Sequence, residues 1–192
     1  MRAMRHRIFV AINLPEGIKK GISSYQDKWP ELPVRWVKPE NLHITLAFLG
    51  YLPDEELMEV FKITKEVAKK HNPFSINLTK ICYGPPKKMP PRMVWAEGEK
   101  SKGLAELQID LENSLTGSKV SFEPEKRAFK PHITFGRIRR WEFRQIEPDE
   151  RPEVNEDISL IFDVNSIEVM ESQLKRGGAE YTILESFNLK EE

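Results

Sequence analysis

One tetrapeptide occurs twice in this chain, as His43-Ile44-Thr45-Leu46 and as His132-Ile133-Thr134-Phe135, each time inside an apolar run. In an extended strand successive side chains alternate between faces, so His43 and Thr45 share one face while Ile44 and Leu46 take the other. The second copy repeats the arrangement with His132 and Thr134. The chain must therefore fold so that two strands each bury one face and present a His/Thr pair on the other. This predicts an internal duplication in which two similar halves face each other across a groove lined by both pairs.

The rest of the sequence fits that frame. A first strand is expected over Ile8 to Leu14, then a helix from Pro15 to about Trp29 and a short extended piece at Val34 to Val37. The first motif strand covers Leu42 to Leu49. Apolar residues at Leu57, Val60, Phe61, Val67 and Ala68 recur at helical spacing within Pro53 to Lys70. Strands follow at Phe74 to Tyr83 and Met93 to Ala96, then a helix marked by Leu104, Leu107, Leu111 and Leu115. The second motif strand spans Pro131 to Ile138. Two last strands, Leu160 to Glu171 and Glu180 to Leu189, are joined by a turn around Arg176-Gly177-Gly178. The fold class is α+β: two pseudo-symmetric lobes, each an antiparallel sheet with outer helices, intertwined within a single domain over residues 1–192.

Several function classes are disfavoured. Lys plus Arg and Asp plus Glu number 30 each, so no global positive field draws in nucleic acid, and any RNA contact must be local. The single Cys82 cannot form an internal disulfide and fits a reduced, cytoplasmic setting as a structural thiol. Arg2, Arg5 and Arg7 before Ile8 to Leu14 imitate a signal peptide, but the run is short and ends in Pro15-Glu16, so a first strand is the better reading. No stretch is long enough to span a membrane. A Gly-rich phosphate loop, a Gly-x-Ser-x-Gly elbow and a His-Glu-x-x-His metal motif are all missing from the sequence, and the expectation is an enzyme without cofactor or metal. With no heptad pattern, a monomer is expected.

Two imidazoles suit a reaction that removes one proton from a nucleophile and supplies another to a leaving oxygen. With ordinary pKa values near about 6.5, one can be neutral and the other protonated at neutral pH. Phosphodiester cleavage is such a reaction. Thr45 and Thr134 can bond phosphoryl oxygens as charge builds. Arg137 is the nearest cation, although strict alternation from His132 puts it on the wrong face. Gly136 can mark a bulge that turns it back; the alternative is a solvated basic edge with Arg139 and Arg140. His6 and His71 read as surface residues.

The chain resembles the 2H phosphoesterase superfamily, in its RNA 2′,3′-cyclic phosphodiesterase branch, long called 2′-5′ RNA ligases. The resemblance covers the whole length. It is carried by Arg7-Ile8-Phe9-Val10-Ala11-Ile12, by Val34 to Gly50 with His43 and Thr45, and by Pro131-His132-Ile133-Thr134-Phe135-Gly136-Arg137. It implies metal-independent hydrolysis of an RNA 2′,3′-cyclic phosphate to a 2′-phosphomonoester, tRNA fragments being among the candidate substrates. His43 would give a proton to the departing 3′ oxygen and His132 would activate water. A 5′-hydroxyl in place of water would give a 2′,5′ linkage.

Base recognition is open at this level. Phe9 either stacks on a nucleobase or packs in the core. Arg92, before the Met93 strand, is a candidate for the groove, and Lys126, Arg127 and Lys130 could supply local positive charge, whereas Lys87 and Lys88 read as surface. Two other functions share the motifs: a related phosphodiesterase acting on a small nucleotide, such as an ADP-ribose cyclic phosphate or a 2′,5′-oligoadenylate, and a noncatalytic module binding RNA ends.

Overall fold

The first strand, β1 (Arg5–Asn13), is apolar without alternation from Ile8 to Ile12, and every one of these residues is buried. A strand covered on both faces belongs in the middle of a sheet. β1 pairs with β3 (His43–Pro53) on one side and β8 (Ser166–Lys175) on the other. Its two faces go to different places: Ile8, Val10 and Ile12 enter the main core, while Phe9 and Ala11 pack with Met170 and Tyr181 in a second, smaller cluster. The computed structural model describes residues 5–125, 129–176 and 178–190.

The remaining elements are α1 (Glu16–Ser23), β2 (Val34–Trp36), α2 (Asp54–Ala68), β4 (Phe74–Gly84), β5 (Met93–Gly98), α3 (Lys102–Thr116), β6 (His132–Ile138), α4 (Arg140–Gln145), β7 (Asn155–Val164) and β9 (Gly178–Asn188). Asp54, Glu55 and Glu56 occupy the first turn of α2, where acidic groups complement the helix dipole. Ser101 caps α3 by accepting the Leu104 N–H at 3.4 Å. The Leu104, Leu107, Leu111 and Leu115 stripe of α3 and Leu57, Val60 and Val67 of α2 are buried in the same core as Ile44 and Leu46. The packed face of the motif strand is thereby separated from its His/Thr face.

The strands form one antiparallel sheet in the order β7-β4-β5-β6-β3-β1-β8-β9, with β2 beside β6. β3 and β6 meet at Ile44 opposite Ile133, both side chains fully buried. The sheet divides there into two halves, one motif strand in each. The C-terminal hairpin β8–β9 lies beside β1, in the half that holds β3.

Two of the expected elements need correction. The run Leu160 to Glu171 is not one strand: β7 ends at Val164 and β8 begins at Ser166, and the Asn165 carbonyl accepts the Leu189 N–H at 2.8 Å. The joint is carried by Asn165-Ser166, two turn-favouring residues between Val164 and Ile167. Since β7 lies at one edge of the sheet and β8 one strand in from the other, the sheet is curled until its ends nearly meet. The expected helix to Trp29 also tightens to 3₁₀ geometry over Ser24–Lys28.

His6 and His71 are not plain surface groups. His6 is held between Glu171 (2.7 Å) and Asp54 (2.9 Å), and the Glu171 hydrogen bond, ahead of Asp54, raises its pKa. His71 contacts Asp110 at 3.1 Å. Among the described residues no helix is long and apolar enough to cross a membrane.

Candidate active site

The two motif strands carry the same irregularity. Along β1, Ala11 faces Thr45 and Val10 faces Ala47, so one residue of β3 bulges out; along β5, Trp95 faces Thr134 and Val94 faces Gly136, so β6 bulges at the matching place. After His43 and after His132 the burial sequence is identical, with two buried residues in succession before an exposed one. The bulge returns the fifth residue after each histidine to the groove, Phe48 in one lobe and Arg137 in the other. This resolves the face problem that alternation posed for Arg137. A side chain is excluded at Gly136, where a Cβ would come within 2.6 Å of Val34 Cγ2 and 2.9 Å of the Trp36 ring.

His43, Thr45, His132 and Thr134 line one groove of about 780 Å³. Both imidazoles are fixed in the same way: His43 Nδ1 donates to the Asn41 carbonyl and His132 Nδ1 to the Lys130 carbonyl, each at 2.8 Å. A carbonyl only accepts, so the proton sits on Nδ1 and Nε2 is left for groove chemistry. The Thr45 hydroxyl lies 3.0 Å from His43 Nε2. Thr134 Oγ1 rests 3.8 Å from Met93 Sδ.

The surroundings of the two rings differ. His132 stacks on Trp95 with centroids 4.0 Å apart at 27°. His43 is flanked by Phe9 at 4.9 Å and, edge-on, by Tyr181 at 5.1 Å. Burial lowers the His43 pKa to about 4, against the opposing effect of the Asn41 bond, and the charges of Arg137, His132 and Lys19 lower it further. His43 is therefore neutral at neutral pH in the protein alone.

Of the other sequence candidates, Phe9 lines the groove as a wall although it is only 3% exposed, and it packs with Ala11, Met170 and Tyr181. Arg92 is not brought there. Met93 takes the inward place, its sulfur receiving Trp95 Nε1–H at 3.4 Å, and Arg92 is exposed outside the groove lining. Lys130 is neutralised by Glu97 at 2.7 Å. Lys126 and Arg127 lie outside the described residues. Trp95, Tyr181, Arg7 and Asn41 are missed from sequence. For Asn41 a signal existed, since Asn41 and Lys130 both stand two residues before a motif histidine. Among the described residues no group of three or more His, Cys, Asp or Glu is arranged to hold a metal ion.

Known proteins are similar to this chain in sequence and in fold. Residues 12–95 match the model of the LigT-like phosphoesterases. An RNA 2′,3′-cyclic phosphodiesterase of Methanothermobacter thermautotrophicus is 32% identical over 97% of this chain and 100% of its own length. The crystal structure of TT0787 of Thermus thermophilus superposes with a TM-score of 0.81 at 31% identity, covering 97% of this chain and 98% of that one. Escherichia coli LigT complexed with 3′-AMP gives a TM-score of 0.78 at 25% identity, covering 98% and 100%.

Proposed function

The chain belongs to the LigT-like phosphoesterase family, and from that premise we propose that it opens the 2′,3′-cyclic phosphate at the end of an RNA, leaving a 2′-phosphomonoester and a 3′-hydroxyl. The observation that carries this reading is the pair of imidazoles, each locked at Nδ1 by a backbone carbonyl and offering Nε2 to one groove beside Thr45 and Thr134. Water attacks phosphorus and gives its proton to His132 Nε2; the P–O3′ bond breaks and O3′ takes a proton from His43 Nε2. Arg137 and the two threonine hydroxyls stabilise the charge on the phosphoryl oxygens. No residue in this scheme calls for a metal. With a single cysteine, Cys82, that cannot form an internal disulfide, we take the protein to be a cytoplasmic enzyme that acts as a monomer.

The test is to incubate the protein, in EDTA, with a short RNA ending in a 2′,3′-cyclic phosphate and identify the product. A 2′-phosphate is expected at an undiminished rate. A 3′-phosphate would overturn the geometry of the leaving group, and the absence of turnover would overturn the reading.

A neutral His43 cannot serve as the donor until it gains a proton. An anion seated beside Arg137 reverses the local field, so binding should load that proton. Sulfate stays dianionic over the relevant range and isolates the effect. Between about pH 5 and 7, its binding is expected to take up protons, measured by calorimetry in buffers of different ionisation enthalpy, and His43→Gln should lower the uptake. The reverse allotment, with His43 as acceptor, draws on the neutral ring of the protein alone. Binding without proton uptake would assign it that role.

A further inference from the structure

We propose that the groove contains a second anion subsite, built on Arg7, which takes the phosphodiester next to the cyclic end, so that an oligonucleotide and not a lone nucleotide fills the site. This rests on the function proposed above.

Of the guanidinium groups that line the groove, those of Arg7 and Arg137 have no carboxylate within ion-pair distance among the described residues. The lysines there are different: Lys38 is near Glu40 (3.9 Å), and Lys175 pairs with Glu180. In a chain of zero net charge, two uncompensated cations in one concavity indicate a ligand with two anionic groups.

They stand on opposite sides of the histidines. β3 and β6 run antiparallel through Ile44 and Ile133, so Phe48 and Arg137, equivalent positions of the two lobes, diverge from that crossing in opposite directions. Arg7 lies with Phe48, its Cζ 4.8 Å from that ring centroid. With one bulge in each strand, the backbone path from Phe48 to Arg137 is on the order of 20 Å. The two guanidinium groups thus enter the groove from different strands, β1 and β6, on either side of the β3–β6 crossing. Arg137, on the same strand as His132 and Thr134 and lining the groove with both histidines, is assigned to the reacting phosphate.

Arg7 is also held ready. Its Nη1 donates to Ser172 Oγ at 2.8 Å, Ser172 being 4% exposed, and the guanidinium is supported by Phe48, itself 45% exposed. One of five N–H donors is used on Ser172, which leaves the planar fork able to grip phosphate oxygens. Chemistry sets the direction of the ligand. A 2′,3′-cyclic phosphate closes the 3′ end of a strand, so the neighbouring phosphodiester lies on its 5′ side.

The experiment compares two dinucleotides ending in a 2′,3′-cyclic phosphate, one with an ordinary internucleotide phosphodiester and one with a neutral methylphosphonate linkage, on wild type and Arg7→Gln. Wild type is expected to prefer the charged linkage by about tenfold or more in kcat/KM, through KM, and Arg7→Gln to erase most of that preference. Equal use of the two linkages by wild type overturns the subsite, and this arm requires no variant to fold. A loss in Arg7→Gln that is equal for both linkages overturns it as well, leaving Arg7 as a strand clamp to Ser172. If neither dinucleotide is hydrolysed, the proposed function fails. Calorimetric binding of the corresponding 3′-phosphate-terminated dinucleotides then decides the subsite by the same two comparisons.

Discussion

His132→Ala and His43→Ala are each expected to lower kcat at least about a hundredfold on an RNA 2′,3′-cyclic phosphate, with the fold kept. Both rings hang from strands whose buried faces are elsewhere: Ile44 and Ile133 remain fully buried whether or not an imidazole stands beside them. The energetic loss falls on proton transfer. Either deletion leaves one of the two transfers to water, so the double variant should be close to the worse single one rather than to the product of both. Circular dichroism and sulfate binding check the fold and the groove, and single-turnover rates check the chemistry. A single variant that kept a tenth of the wild-type rate or more would remove that histidine from the reaction.

Gly84→Ala is expected to produce the next largest effect, although Gly84 is outside the groove lining. A Cβ at Gly84 would stand 2.1 Å from Trp95 Cδ2 and 2.4 Å from Cε2, distances that no side chain sustains. Gly84 is fixed opposite Met93 in the β4–β5 ladder, so the indole must move, and the indole is the surface on which His132 stacks. Overpacking of this kind costs about 1–3 kcal/mol. Displacing a catalytic ring by an ångström costs up to ~100-fold in rate. Gly98→Ala provides the control, because its nearest neighbours lie at 3.4 Å. The expected pattern is a lowered melting temperature with a lowered kcat for Gly84→Ala, and near wild-type values for Gly98→Ala. Wild-type kcat in a destabilised Gly84→Ala protein would show that Trp95 packs against His132 without positioning it.

The histidines, the threonines and Arg137 were legible because a strand's period of two depends only on residues close in sequence. Gly136 even announced the bulge. What stayed hidden came from across the sheet. Tyr181 and Arg7 reach the groove from β9 and β1, Trp95 backs His132 from β5, and which strands become neighbours is decided by packing of the whole sheet, not by any one run of residues. Arg92 was misplaced by a single step of alternation, since its neighbour Met93 faces inward. The break at Asn165 is marked only by Asn165-Ser166, a two-residue interruption between the apolar positions Val164 and Ile167, too short to separate two strands by hydrophobic pattern alone. The α+β class and the two-lobed plan needed only the recurrence of motifs and periods.

The placement of β8 and β9 beside β1 bears on the order in which the molecule is assembled. Arg7 and Ser172 are hydrogen-bonded partners 165 residues apart in sequence, and Tyr181, which flanks His43, arrives later still. Contacts of such long range are slow to form and come after local ones. A chain still growing on the ribosome holds both imidazoles once β6 has been made, yet lacks the wall beside His43 and the anchor of Arg7 until the final hairpin docks. Nascent chains therefore pass through a stage in which both histidines are present but the groove is not closed.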